Sequence, residues 1–466
     1  MRQTKTNRTH RVLLGIAIMF LSCLPALLPV AAGQSAGNNG VYNSSGSVTG
    51  STAYIDASAF ASTSTDICAT IYNILASNPN SVIDARGLSS ANSNMICGST
   101  TTTSTPWMQG TSTTSNASTI LLPAGKISIY QGWVLPSRTR IIGEGNNPTP
   151  GGTIIQACKS SVGCSGAFTS GGTMLTMGSS SSSVCDDGGT AGQCSGVSIE
   201  GLLLEGNSQS VNGIVNEHAG QSSYVDHVNL HFIEGTALQV SGSQAQDSGP
   251  YANIAVSTGS SYATGTLCAQ FDTSSTRGLH GLTCTAASGS GTGPSAAVTL
   301  DSNYNTIEDI HIEGFQDGIL IGSASSAEGN TIASFNGAGG SGGMTNVVHV
   351  SPSNPVSDLS IFGIAGYAGS YPVTNTLKDE QSGTTLSVGT NPVVGVYVLG
   401  EQITGTEYYR LTNSPTSTPA WGFGSTTPGS ATCALGSIYS NTGGSSGSTL
   451  YFCTYNGTNN VWTAKN

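Results

Sequence analysis

The sequence predicts an all-β chain wound as a right-handed parallel β-helix, with an N-terminal capping helix and a small C-terminal β domain. Three observations carry that prediction. Apolar residues recur two apart with one polar residue between them, in pairs that repeat along the chain. Charged residues are only 8% of the chain, against an average of about 25%. Gly, Ser, Thr and Asn fill the gap, and these suit turns and exposed strands better than helices.

The repeating pairs are Val197/Ile199, Val228/Leu230, Ile254/Val256, Leu282/Cys284, Ile310/Ile312 and Leu359/Ile361, with Ile332 and Ser334 as a weaker member. Their starts lie 22 to 31 residues apart. A strand buries alternate residues, so each pair faces inward. One such strand per repeat of about 20–30 residues is the signature of a solenoid. A sandwich would carry tighter hairpin signals, and a propeller four strands per longer repeat. The spacing favours the β-helix over both.

The elements follow in order. Arg2, Lys5, Arg8 and Arg11 precede an apolar run from Val12 to Leu28 and the small residues Val30-Ala31-Ala32. This is the pattern of a cleaved export signal, assigned to residues 1–33. No later stretch is apolar enough to span a bilayer, so no membrane insertion is expected after cleavage. Residues 34–60 are rich in Gly, Ser and Asn, and read as a flexible arm or a short edge strand. Asp66 to Ala76 has helical spacing and suits a cap on a β-body. Residues 81–88, 120–122, 126–130 and 140–142 read as short strands, with Pro and Gly confined to the turns between them. The β-helix is assigned to 61–394. Residues 395–466 have shorter spacing and denser aromatics, including Trp421, Trp462, Tyr408, Tyr409, Tyr439, Tyr451 and Tyr455. They read as a separate small β module whose rings form its core or contact glycan.

Of the eleven cysteines, Cys23 lies in the signal. The other ten fall into near neighbours: Cys68 and Cys97, Cys158 and Cys164, Cys185 and Cys194, Cys268 and Cys284, Cys433 and Cys453. In an exported chain this arithmetic predicts five local disulfides. Loss of the signal leaves 9 basic against 24 acidic residues. Such a surface repels nucleic acid and anionic membranes, and suits a polyanionic glycan poorly.

Two stretches carry a resemblance. DICATIYNILASNPNSVIDARGL (66–88) is followed by ILLPAGKISIYQGWVLPSRTRIIGEG (120–145), and later come VSIEGLLLEGN, VDHVNLHFIEGTALQV and IEDIHIEGFQDGILIGS. Over residues 60–390 the chain resembles the pectate-lyase-like β-helix superfamily. The resemblance implies a secreted, polysaccharide-associated β-helix. It leaves the activity open, because that superfamily includes lyases, hydrolases, epimerases, phage tailspikes and adhesins. The tail resembles end modules of secreted fibre-like proteins, and a homotrimer, as in fibre-like relatives, is left open. The catalytic motifs transfer poorly. Asp186-Asp187 sits inside the Cys185–Cys194 loop, Arg138-Thr139-Arg140 precedes the coils, and no Gly-His-Gly is present. Tyr224-Val225-Asp226-His227 resembles the lyase Trp-Ile-Asp-His motif without its Trp.

Strand alternation also predicts which side chains point outward. With the first apolar residue of each pair as position zero, position three is outward: Glu200, His231, Ser257, Thr285, Glu313, Phe335 and Phe362. Glu200 is then expected beside His231. His311 and Glu313 should share an outward face, with Glu308 and Asp309 at the start of the same strand and His280 one coil away. Paired carboxylates about 6.5–9.5 Å apart suit an inverting glycosidase, one as acid and one as base. The candidate catalytic residues are therefore Glu308, Asp309, His311 and Glu313, with Asp226 and His231. The bland alternative is a set of solvated outward residues.

A lyase would need a uronate carboxylate neutralised by a cation. Between Lys159 and Lys378 the basic side chain other than histidine is Arg277. Calcium could substitute, yet no Asp-rich calcium loop is present, and no cofactor is expected. Two readings remain: a glycoside hydrolase acting on a neutral polysaccharide, or a non-catalytic surface or fibre protein of adhesin type.

Overall fold

The computed structural model describes residues 54–465, apart from 61–65, 89–93, 100, 115–116, 149–150, 161–163, 165, 182, 186–191, 260–264, 287–293, 340–342, 368–372, 382–383, 388–392, 400–401, 404–405, 408–420, 425–427, 429–432, 434, 442–449 and 457. The expected export signal, Cys23, Asp186-Asp187, Tyr408 and Tyr409 lie outside the described residues, and nothing is described of the Trp421 side chain.

The described chain is a right-handed parallel β-helix of about ten coils. Its first strand, Tyr54–Asp56, falls in the segment read as an arm or edge strand. It stacks in parallel on Val82–Asp84, which stacks on Ser118–Leu121 and then Thr139–Ile142. Helix α1, Ile67–Ser77, sits at this end. The Asp66 carboxylate accepts from the Ala69 N–H at 3.0 Å and caps it. Ile67, Cys68, Ile71, Ile74 and Leu75 are buried, and Cys68 is bonded to Cys97 on strand Asn94–Cys97. This helix closes the apolar interior that a first coil would otherwise expose.

From Ser198 onward each coil adds one rung to each of two sheets. The first sheet runs through Tyr224–Asp226 and Asn229–Ile233, then Tyr251–Ser257, Leu279–Thr285, Thr306–Glu313, Thr331–Ala338 and Leu359–Gly366. The second has ten strands, from Trp133–Leu135 to Thr384–Ser387, and includes Thr236–Val240, Leu267–Phe271, Ala296–Leu300, Asp317–Ile321, Met344–Val350 and Val373–Asp379. Between them lies a core of stacked like residues. Ile199, Val225, Tyr251, Leu279, Ile307, Ile332 and Ile361 form one buried column. Leu204, Leu230, Val256, Cys284 and Ile312 form another. At one turn, side chains replace the missing ladder bonds: Asn330 Oδ1 accepts from the Asn305 N–H, and Asn305 Oδ1 from the Thr276 N–H.

Each long strand of the first sheet is bent. Gly201, His227, Asn253, Gly281, Asp309, Ser334 and Gly363 lie in one register and all have φ between 51° and 74°. The left-handed residue turns the strand and adds one position to its alternation. Inward positions are therefore three apart across the bend, as at Ile307 and Ile310.

This corrects the sequence-derived columns. Val228/Leu230 stacks on Leu202/Leu204, whereas Val197/Ile199 and Leu359/Ile361 belong to the half of the strand before the bend, and of Ile332/Ser334 the second residue is the bend itself. Glu200 pairs with Asp226 and not with His231; His231 pairs with Glu205. Phe335, expected outward, is 0% exposed because it follows the bend residue Ser334 and points inward beside Ile310.

The five expected disulfides are all formed. Cys268 and Cys284 are fully buried and join the two sheets through the core. Val393–Leu399 runs antiparallel to Leu359–Gly366 and ends the parallel stack. Beyond it, Trp421–Gly424, Ile438–Asn441, Leu450–Tyr455 and Asn460–Lys465 form a four-stranded sheet. Tyr439 lies between Tyr451 and Trp462, with ring centroids 6.4 and 5.9 Å away.

Candidate functional site

The outward side of the first sheet gathers a cluster of ionisable groups. Three columns run along it. Before the bend stand Glu200, Asp226, Ala252, His280, Glu308, Ala333 and Phe362. Just after it come Asn229, Ala255, Thr283, His311 and Asn336. Two residues further are Glu205, His231, Ser257, Thr285 and Glu313. Neighbours in a column are about 4.8 Å apart.

On the 306–313 rung the expected residues are together. His280 Nδ1 lies 2.7 Å from Glu308 Oε1, across one coil as the sequence predicts. His311 Nε2 lies 2.8 Å from Glu313 Oε1 on the same strand. Asp309 is the exposed bend residue between the two pairs. Asp226 and His231 do not join this group. Three register steps separate Asp226 from Glu308, and three separate His231 from Glu313, about 14 Å in each case.

Asp226 has partners of its own, Asn253 Nδ2 at 2.9 Å and His227 Nδ1 at 2.8 Å. Burial works to raise its carboxyl, and these donors outweigh it, so the group is held below the usual carboxylate range. One coil earlier, burial likewise opposes Arg140, Tyr224 and Ser198 at Glu200, and again the donors prevail. Both groups stay ionised, and neither is suited to donate a proton. His231 Nδ1 is 2.7 Å from Glu205 Oε2, while the Asn207 N–H holds the other Glu205 oxygen at 3.0 Å.

The second sheet carries chemistry that the sequence reading missed. Backbone hydrogen bonds continue its register into the following turn, so Ser241, Asp272 and Asp301 lie on successive coils. Burial and the Asp301 charge push the Asp272 carboxyl up, although Gln270 Nε2 donates to it at 2.6 Å. Asp301 is fully engaged by the Ser323 hydroxyl and the Ala324 N–H. Further along, His349 Nδ1 bonds Asp317 at 2.8 Å, and Glu380 Oε2 lies 3.4 Å from Nε2. Lys378 pairs with Glu380. The signal for these groups was the second apolar strand of each repeat, such as Ile319/Ile321 and Val348/Val350. Among the described residues, no group of three His, Cys, Asp or Glu side chains is placed to hold a metal. No described helix is long and apolar enough to cross a membrane.

No family model matches this chain, and no curated protein does. Among solved structures it is similar to ORF18 of Geobacillus virus E2, at 11% identity and a TM-score of 0.28, covering 99% of this chain and 90% of that one. It is also similar to the A-modules of two Azotobacter vinelandii mannuronan C-5 epimerases. For AlgE4 the identity is 12% and the TM-score 0.21, over 58% of this chain and 91% of that one. For AlgE6 they are 10% and 0.23, over 66% and 93%.

Proposed function

We propose that the protein works outside the cell on a neutral polysaccharide, which it hydrolyses with paired carboxyls on the outward face of the β-helix. The observation that carries this reading is the 306–313 rung. In a chain with 8% charged residues, two histidine–carboxylate pairs, His280–Glu308 and His311–Glu313, flank one bend. A histidine bonded to a carboxylate is a proton-transfer unit. Small side chains, Ala252, Ala255, Ala333 and Ala338, occupy the neighbouring coils and leave room for a chain along the axis. The five disulfides fit an oxidising compartment. Asp272, pushed up on the second sheet, is the alternative proton donor.

A second reading is a non-catalytic surface or fibre protein. It is favoured by Glu200, Asp226 and Asp301, whose carboxylates are satisfied by internal donors as structural groups would be. The test is release of new reducing ends from a panel of neutral polysaccharides by the wild type, Glu308→Gln, Glu313→Gln and Asp272→Asn. Hydrolysis lost in the first two variants supports the rung, and loss in Asp272→Asn alone moves the acid to the second sheet. Silence with retained binding to one glycan supports the fibre reading.

A further inference from the structure

Corrected for the bend, the register places a carboxylate, a histidine and a serine on three consecutive coils of one outward column. Glu205 is paired with His231, and His231 with Ser257. Glu205 is fixed by the Asn207 N–H on one oxygen and by His231 Nδ1 on the other, and its side chain is 15% exposed. That bond sets the imidazole tautomer, with the proton on Nδ1, and leaves Nε2 as the base. Among the described residues His231 Nε2 makes no hydrogen bond. Ser257 Oγ is buried and has no hydrogen-bond partner among the described residues. The Cα atoms of His231 and Ser257 stack about 4.8 Å apart, so a turn about the serine Cα–Cβ bond brings Oγ towards the ring.

Phe232 adds a second, independent feature. It is a bulky residue in the left-handed region, φ 51°, and its ring is 37% exposed. A phenylalanine there costs conformational energy while more than a third of it stays exposed. The ring lies on His231, with centroids 3.7 Å apart. It thus walls one side of the imidazole and offers an apolar face to a ligand.

We propose that Ser257, His231 and Glu205 form a nucleophilic site that hydrolyses an ester, with an O-acylated neutral polysaccharide as the substrate class. The substrate class rests on the polysaccharide reading above; the triad does not. Ser257 Oγ attacks the ester carbonyl carbon, and its proton passes to His231 Nε2. The tetrahedral intermediate collapses, the C–O bond to the sugar breaks, and the sugar oxygen leaves with the proton from His231. Water then gives a proton to His231 and adds to the acyl-serine. The acid departs, Ser257 regains the proton, and the net reaction consumes one ester and one water. Glu205 holds the imidazole and balances its charge, as carboxylates do in serine–histidine sites on unrelated folds. The open sheet surface, with the His231 side chain 30% exposed, suits a short acyl group on a bulky polymeric alcohol better than a long acyl chain.

The test uses the full chain with 4-nitrophenyl acetate and with acetylated xylan, read as released nitrophenol and acetate, and mass-spectrometric labelling by a fluorophosphonate. The expected result is turnover of both esters, label on Ser257, and a loss of about a thousandfold or more in Ser257→Ala. Glu205→Gln should lower kcat by at least tenfold with little change in KM, and Phe232→Leu should raise KM for xylan alone. Turnover of the nitrophenyl ester without acetate release from xylan would keep the triad and overturn the polysaccharide substrate. Neither turnover nor labelling of Ser257, in a chain whose circular dichroism shows it folded, would overturn the triad.

Discussion

The two sheets treat the same pair of residue types differently. On the first, His231, His280 and His311 each meet a glutamate, with imidazoles 30%, 31% and 45% exposed. On the second, His349 is 15% exposed, bonded to Asp317 on the coil before it and close to Glu380 just after the next strand. The exposed pairs can exchange protons with a ligand. The half-buried one ties three coils together near the end of the stack. Burial and the number of carboxylates around the ring, and not the pairing itself, distinguish the two arrangements.

The largest effect that would test this division lies in the shared core. Ile312→Ala removes a fully buried side chain from a stacked column and should cost about 2–5 kcal/mol in a denaturant melt. A cost below 1 kcal/mol would mean that the columns are not packed as described. Opening Cys268–Cys284 by a double Cys→Ala change should cost about 3 kcal/mol, since the bond closes a loop of 16 residues.

The staple itself comes next. His349→Gln or Asp317→Asn should destabilise the chain by about 1–3 kcal/mol, because each leaves a half-buried partner unsatisfied. The pH dependence has a definite sign. Asp317 raises the His349 pKa first of all, against burial. The stabilisation is therefore complete below about pH 6.5 and is lost as pH rises through the higher folded value. His349→Gln should flatten the melting temperature against pH on that alkaline limb. Glu200 and Asp226 act in the opposite sense, being lowered: their contribution is present above the ordinary carboxylate range and is lost as pH falls through the folded values. The smallest effect is expected from Glu308→Gln, within about 0.5 kcal/mol, since the side chain is 44% exposed and its proposed role is chemical. A cost as large as that of His349→Gln would erase the contrast between the two sheets.

The coil repeat, the capping helix and the five disulfide pairs were legible in the sequence. Repeating apolar pairs, a breaker-free run with an Asp cap, and short cysteine spacings each have a local cause. The register across the bend was not legible. The left-handed position is filled by Gly, His, Asn, Asp and Ser in turn, so no single residue type marks it. One missed position shifted Glu200 towards His231, hid Glu205 and turned Phe335 outward. Pairs within one half-strand survived that error, which is why His280 with Glu308 and His311 with Glu313 were placed correctly. Asp272, His349 and the rest of the second sheet are not legible from the first-sheet pairs, because their strands stack in a register of their own.

The most direct test of the account is incubation of the purified protein with neutral and uronic polysaccharides, assayed for new reducing ends and for unsaturated products. The account predicts reducing ends without unsaturation from a neutral glycan, abolished in Glu308→Gln and Glu313→Gln. Unsaturated uronate products, or full activity in both variants, would contradict it.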